Sequence, residues 1–156
     1  MALILKPPQM IAHLPSQPSV FLAGSIDMGS AEDWQQEVST RLAVYDLTIL
    51  NPRRDDWDAT WIQAIDNPQF RAQVEWELEA LERADLILMY FAPTSQAPIT
   101  LLELGLFARS GRVVVCCPAP FWRKGNVDVV CARYGISQVA NLAELCSYAE
   151  EWLLRR

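Results

Sequence analysis

The stretch ADLILMYFAPTSQAPITLLELG, residues 84 to 105, decides how the chain is read. Its first eight residues form a short apolar run of large side chains, as expected of a strand buried on both faces. A polar turn, Ala92 to Ala97, follows. Pro98 then suits the first turn of a helix, because the N–H it lacks would be unpaired there and its φ is already helical. Ser95 or Thr94 is expected to cap that helix. Within it a single carboxylate, Glu103, stands among Leu101, Leu102, Leu104, Leu106 and Phe107. A bare buried carboxylate is unfavourable by several kcal/mol, roughly, so Glu103 lies either on a solvated helix face or in a pocket that uses it.

Working outward, the same alternation of strand and helix recurs. A strand is expected at Ser19 to Ala23, closed by Gly24-Ser25, where a glycine lets the backbone turn sharply and lets a ligand approach. A helix over Ala31 to Val44 should carry Ser30 as its cap and bury Trp34, Val38 and Leu42. Leu47 to Leu50 reads as a short strand, and Asn51 to Asn67 as a long polar loop of the kind that often serves function. Helix Pro68 to Arg83 should point Phe70, Val74, Leu78 and Leu81 inward. After helix Pro98 to Ser110 come a β-branched strand, Arg112 to Cys117, a short helix over Asn126 to Tyr134, and a strand, Ile136 to Val139. Asn141 should cap a last amphipathic helix.

Five strands separated by helices predict an α/β fold, a flavodoxin-like five-stranded parallel sheet in the order 2-1-3-4-5 with helices on both faces. Residues 1–17 are expected to form an N-terminal extension to one domain, 18–156. Ligands of such sheets sit beyond the carboxyl ends of the strands where strand order reverses. That rule brings the turns Gly24–Ser30 and Ala92–Ala97 to one mouth and carries Glu103 there.

The totals narrow the function. The chain has 156 residues, 51% of them hydrophobic, with a net charge of −6. Such a balance argues against binding a nucleic-acid polymer through its backbone and leaves room for a small nucleotide at a local site. No apolar run is long enough to span a membrane, and MALILKPPQM is a poor signal peptide, so a cytoplasmic location is expected. Four cysteines without a CxxC pair read as free thiols, and His13 is the only histidine, which leaves histidine-based triads and metal centres poorly supplied. Neither GxxxxGK[ST] nor GxGxxG occurs.

FLAGSI at 21–26, NPRR at 51–54, WELEALERADLIL at 76–88, SQAPITLLELG at 95–105 and KGNVDVVCARYGI at 124–136 together resemble the nucleoside 2-deoxyribosyltransferase-like family. The resemblance implies cleavage of the N-glycosidic bond of a (deoxy)nucleoside or nucleotide, with the sugar passed to another base or to water. It implies Glu103 as the nucleophile and Glu77 as the second catalytic carboxylate. Asn126 would be contributed across a subunit interface, with Asp128 in the same segment, so a homodimer or larger homo-oligomer with shared active sites is implied. No cofactor or metal is called for.

Other candidate substrate contacts are Gly24, Ser25 and Asp27 on the first turn, Asn51, Arg53 and Trp57 on the long loop, and Ser95 before the helix. For Arg53 and Arg54 two readings stand: a nucleotide-facing edge with Trp57, or ion pairs with Asp55, Asp56 and Asp58. Asp27 stands where relatives acting on 5′-monophosphates tend to carry a basic residue, which favours an uncharged nucleoside unless Arg53 or Arg54 compensates. Ala97 stands where base-exchanging relatives carry Asp. A non-catalytic nucleotide-binding or sensing module on the same fold is the alternative reading.

Overall fold

The computed structural model describes residues 1–26, 32–56 and 58–156. Its sheet has six parallel strands: β1 (Leu3–Leu5), β2 (Ser19–Gly24), β3 (Thr48–Leu50), β4 (Leu86–Tyr90), β5 (Val113–Cys116) and β6 (Ser137–Val139). They lie in the order β1-β3-β2-β4-β5-β6. The expected five-stranded sheet in the order 2-1-3-4-5 is therefore incorrect. Leu3–Leu5 pair in parallel with Thr48–Leu50, and the extra strand satisfies backbone groups that β3 would otherwise expose along an open edge.

The helices are α1 (Trp34–Leu42), α2 (Pro68–Arg83), α3 (Pro98–Phe107), α4 (Lys124–Tyr134) and α5 (Leu142–Leu154). Side chains of α2, α3 and α4, among them Trp76, Leu81, Leu104 and Val127, pack on the sheet face formed by Phe21, Ala23, Ile87, Met89 and Val115. On the other face Trp34, Val38 and Leu42 of α1 and Leu145 and Ala149 of α5 cover Val20, Leu22, Leu88 and Val114. The central strands are buried on both sides, which explains why they are continuous apolar runs rather than alternating ones. No helix among the described residues is long and apolar enough to cross a membrane. All four cysteines are free and buried. Burial pushes the Cys116 thiol up to about 12 and those of Cys117 and Cys131 to about 11, so none is a ready thiolate.

Helix starts follow local chemistry, with two corrections. Asp33 caps α1, its side chain accepting a hydrogen bond from the Gln36 N–H; Ser30, the expected cap, lies outside the described residues. Ala97, in the left-handed region at φ 44° and ψ 52°, occupies the cap position of α3, in place of Ser95 or Thr94. Ser95 acts one step back, its Oγ accepting the Ala97 N–H at 3.1 Å. Asn67 and Asn141 cap α2 and α5. The inward face of α2 is also rotated from the expected one. Gln73, Trp76, Ala80 and Leu81 are buried, while Phe70, Val74 and Leu78 are half-buried.

The chain leaves β2 toward the β3 side and returns to build β4 on the other, so β2 and β4 are neighbours at the reversal of strand order. Such a point opens a crevice beyond the strand ends. Gly24, paired with Tyr90, closes β2 there, and a Cβ on it would lie 2.5 Å from Trp34 Cζ2 and 2.5 Å from the Tyr90 carbonyl oxygen. The contact with backbone leaves little to yield. Gly24→Ala is expected to destabilise the fold by about 3 kcal/mol, read as a lower urea midpoint at unchanged slope. An unchanged midpoint would show that this approach is looser than described.

Candidate functional site: two buried carboxylates at the strand-order reversal

Backbone and hydroxyl groups hold the carboxyl ends of β2 and β4. Ser25 is buried, and its Oγ accepts the Ala92 N–H at 3.2 Å while its carbonyl accepts the Trp34 indole N–H at 3.2 Å. It thereby ties the end of β2 to the end of β4 and to α1. Asn51, also buried, accepts the Arg53 N–H through Oδ1 at 3.0 Å and so shapes the turn leaving β3. Ser95 is buried in the turn before α3. Gly24, Ser25, Asn51 and Ser95 thus all stand at strand ends or turns on the carboxyl side of the sheet, and the bonds of the three polar ones brace the backbone there.

Glu103 falls in the second turn of α3 and is 7% exposed. Burial, and next the charge of Glu77, raise its pKa well above the usual carboxylate range. Glu77, on α2, is half-buried as a residue, but its carboxyl is enclosed by protein atoms, and it is the carboxyl that titrates. Burial pushes it up to about 7, against a smaller opposing effect of a hydrogen bond from Gln73. Among the described residues neither carboxylate has a cation within ion-pair distance. Two like charges in one poorly solvated site do not both ionise readily, and burial moves both groups upward.

Two buried glutamines, neither of them singled out by the sequence reading, take up the loop arginines. Gln73 donates through Nε2 to Glu77 Oε1 at 3.0 Å and to the Pro52 carbonyl at 3.1 Å, and accepts from Arg54 Nη1 at 3.4 Å. Gln35 accepts from Arg53 Nη1 at 3.4 Å, and its buried Nε2 has no hydrogen-bond partner among the described residues. The one sequence signal was the spacing of Gln73 and Glu77, four apart and so on one helix face.

Arg54 forms one of the ion pairs expected of the loop aspartates, whereas Arg53 pairs with Asp33 at the start of α1, a partner neither reading named. Arg54 pairs with Asp56 at 3.0 Å and stacks over the Trp61 ring at 4.9 Å. Arg53 lies 3.6 Å from Asp33 and also donates to the Glu32 carbonyl at 3.3 Å. Both are engaged by protein groups.

Asn126 and Asp128 are not gathered at the carboxylates. Asn126 is exposed on α4, at a hollow of ≈ 170 Å³ shared with Leu101, Leu104 and Gly105 of α3. Asp128 pairs with Lys124 at 3.1 Å beside a groove of ≈ 530 Å³ at the ends of β5 and β6. Asp27 and Trp57 lie outside the described residues.

The fold is that of a doubly wound α/β protein, with Glu77 and Glu103 on two helices that pack against one face of its sheet. Residues 17–121 match the model of the family described as "Nucleoside 2-deoxyribosyltransferase like", and the chain belongs to that family. The matched span contains both carboxylates and ends before Asn126. Membership associates the chain with nucleoside-transferase-like activity, and with nucleoside or nucleotide binding, in general terms. The fold is similar to that of a conserved protein from Enterococcus faecalis V583, at 12% identity and a TM-score of 0.58, covering 87% of this chain and 99% of that one. No curated protein matches the chain by sequence.

The raised pKa values carry a stability consequence. A carboxyl that binds its proton more tightly folded than unfolded favours the folded state at low pH, and that contribution is lost as pH rises from the unfolded value through the folded one. For Glu77 the window runs from about 4.5 to about 7, and Glu103 extends it upward. Glu103→Gln, which removes the charge and keeps the shape, should therefore melt a few degrees above the wild type at about pH 8, with the gap closing toward about pH 5. Thermal melts across that range check this. A gap independent of pH would contradict the buried-carboxylate account.

Proposed function

We propose that this protein cleaves the N-glycosidic bond of a (deoxy)nucleoside or nucleotide and passes the sugar to another base or to water. The observation that carries the reading is the pair of buried, mutually repelling carboxylates at the strand-order reversal, in a member of this family. Glu103 attacks the anomeric carbon, and the C1′–N bond breaks with its electron pair going to the base nitrogen. Glu77 supplies the proton that the departing base takes up. A glycosyl ester on Glu103 results, and a second displacement by an acceptor base or by water restores the carboxylate with retained configuration.

Burial and the charge of Glu77 raise the pKa of Glu103, yet a nucleophile must be ionised. Positive charge developing at the anomeric carbon beside it favours the anion, while Glu77 keeps the proton meant for the base. The hydrogen bonds of Ser25 and Ser95 hold the backbone of the crevice in place before substrate arrives, which limits the reorganisation needed at the reacting centre. The chemistry requires no cofactor.

The assembly proposed with this function is a homodimer or larger homo-oligomer, in which a neighbour's Asn126 completes each pocket. Its support is the apolar stripe of α3, where Ile99, Leu102 and Leu106 are all more than half exposed, and the exposure of Asn126 itself.

Purified protein incubated with a panel of ribo- and deoxyribonucleosides and their 5′-monophosphates, with and without acceptor bases, is expected to release free base, followed by chromatography. Glu103→Ala should lower that release on the order of a thousandfold or more. If no member of the panel turns over, or Glu103→Ala retains turnover, the enzymatic reading fails. Thermal stabilisation by a nucleotide without base release would identify a binding module instead.

A further inference from the structure

The consecutive arginines of the NPRR turn each meet the side-chain carbonyl of one glutamine: Arg53 that of Gln35 and Arg54 that of Gln73. For Gln73 the consequence can be followed atom by atom. An amide has one acceptor oxygen and one donor NH2, and the two ends are told apart only by their partners. Arg54 is a donor without acceptor capacity, so the end it touches is the oxygen. The NH2 end then points to Glu77 Oε1 at 3.0 Å and the Pro52 carbonyl at 3.1 Å, both acceptors. Were the amide reversed, donor would face donor at Arg54 and acceptor would face acceptor at Pro52.

The guanidinium is itself held. Its side chain is 10% exposed, and it is fixed by Asp56 at 3.0 Å and by the face of Trp61 at 4.9 Å. Its planar fork serves several partners in one orientation. The series Trp61 and Asp56, Arg54, Gln73, Glu77 therefore runs from the surface loop after β3 to the carboxylate on α2.

We propose that Arg54 and Gln73 are positioning residues for Glu77: the arginine fixes the orientation of the Gln73 amide, and the amide anchors Oε1 of Glu77 as an acceptor. This inference rests on the proposed role of Glu77 and names what controls it. With Oε1 receiving an N–H, the proton that Glu77 holds or releases resides on Oε2. Among the described residues the charged groups about Glu77 are Glu103 from α3 and, through Gln73, Arg54 and Asp56 from the loop; in the N-terminal segment Lys6 is engaged by Asp55 at 2.8 Å. Arg54 thus acts on Glu77 through a neutral amide, without pairing with it.

A titration of the full-length protein labelled with 13C at the glutamate carboxyls tests this, with the Glu77 signal assigned by its loss in Glu77→Gln. Gln73→Leu should move the Glu77 midpoint upward by about half a pH unit or more, because the carboxylate loses a donor. Arg54→Met should move it upward in the wild-type background and leave it where it is in the Gln73→Leu background, since its effect passes through the amide. Equal shifts in both backgrounds would show the arginine acting on Glu77 directly, and no shift with either variant would remove both residues from the role; each result overturns the proposal. Gln73→Met serves in the same cycle should the leucine variant not fold. The readout needs no turnover, so its failure is separate from failure of the glycosidic reading. Where base release is measurable, the limb of the pH–rate profile governed by Glu77 should move with the midpoint.

Discussion

The structure turns on the seam between β2 and β4, two adjacent parallel strands whose following segments depart to opposite sides of the sheet. Parallel pairing brings Gly24 level with Tyr90, and the want of a side chain at Gly24 lets Trp34 and the Tyr90 carbonyl close in on the strand end. Ser25 then fastens the two strand ends through the Ala92 N–H. With that edge fixed, the turn after β4 leads directly into α3, and Glu103 arrives one turn inside the helix start. The partly positive beginning of a helix favours an anion there, which offsets some of the desolvation that burial imposes.

The same geometry explains why the site is acidic and apolar together. α2 and α3 lie on one face of the sheet and share an apolar core with Trp76, Leu104 and Phe91, so the carboxylates offered by both helices lose water, and among the described residues neither gains a cation. In a structural role such an arrangement would be unfavourable, because an aliphatic pair would pack there with no charge to desolvate. A site that must hold one proton and lend one anion gains from it. The arginines next to it are turned to glutamine carbonyls and to the aspartates of their own loop and of the α1 start.

Glu103 was legible in the sequence because a lone carboxylate among leucines is a visible contradiction, and Gly24-Ser25 because a glycine at the end of a buried strand has few other uses. β1 was not: Leu3–Leu5 is three residues long, lies next to prolines and has a partner more than forty residues away, so neither periodicity nor turn chemistry announces it. The cap of α3 was misread for a related reason. Ser95 has the chemistry of a cap, but it spends its hydroxyl on holding Ala97 in the left-handed region, and alanine carries no signal for that conformation. On α2 the apolar pattern named Phe70, Val74 and Leu78, whereas Gln73 is buried because Arg54, Pro52 and Glu77 satisfy its amide, partners supplied in part by a distant loop. Polar burial of that kind depends on tertiary neighbours and leaves only a spacing of four residues behind.

The central claim is that Glu103 forms a covalent bond to a sugar. Mass spectrometry of the protein quenched with acid during turnover of a nucleoside, followed by peptide mapping, tests it most directly. A glycosyl adduct on the peptide containing Glu103, formed with the wild type and absent from Glu103→Gln, is the result this account requires. Base release with no adduct on that peptide, or an adduct carried by another residue, would contradict it.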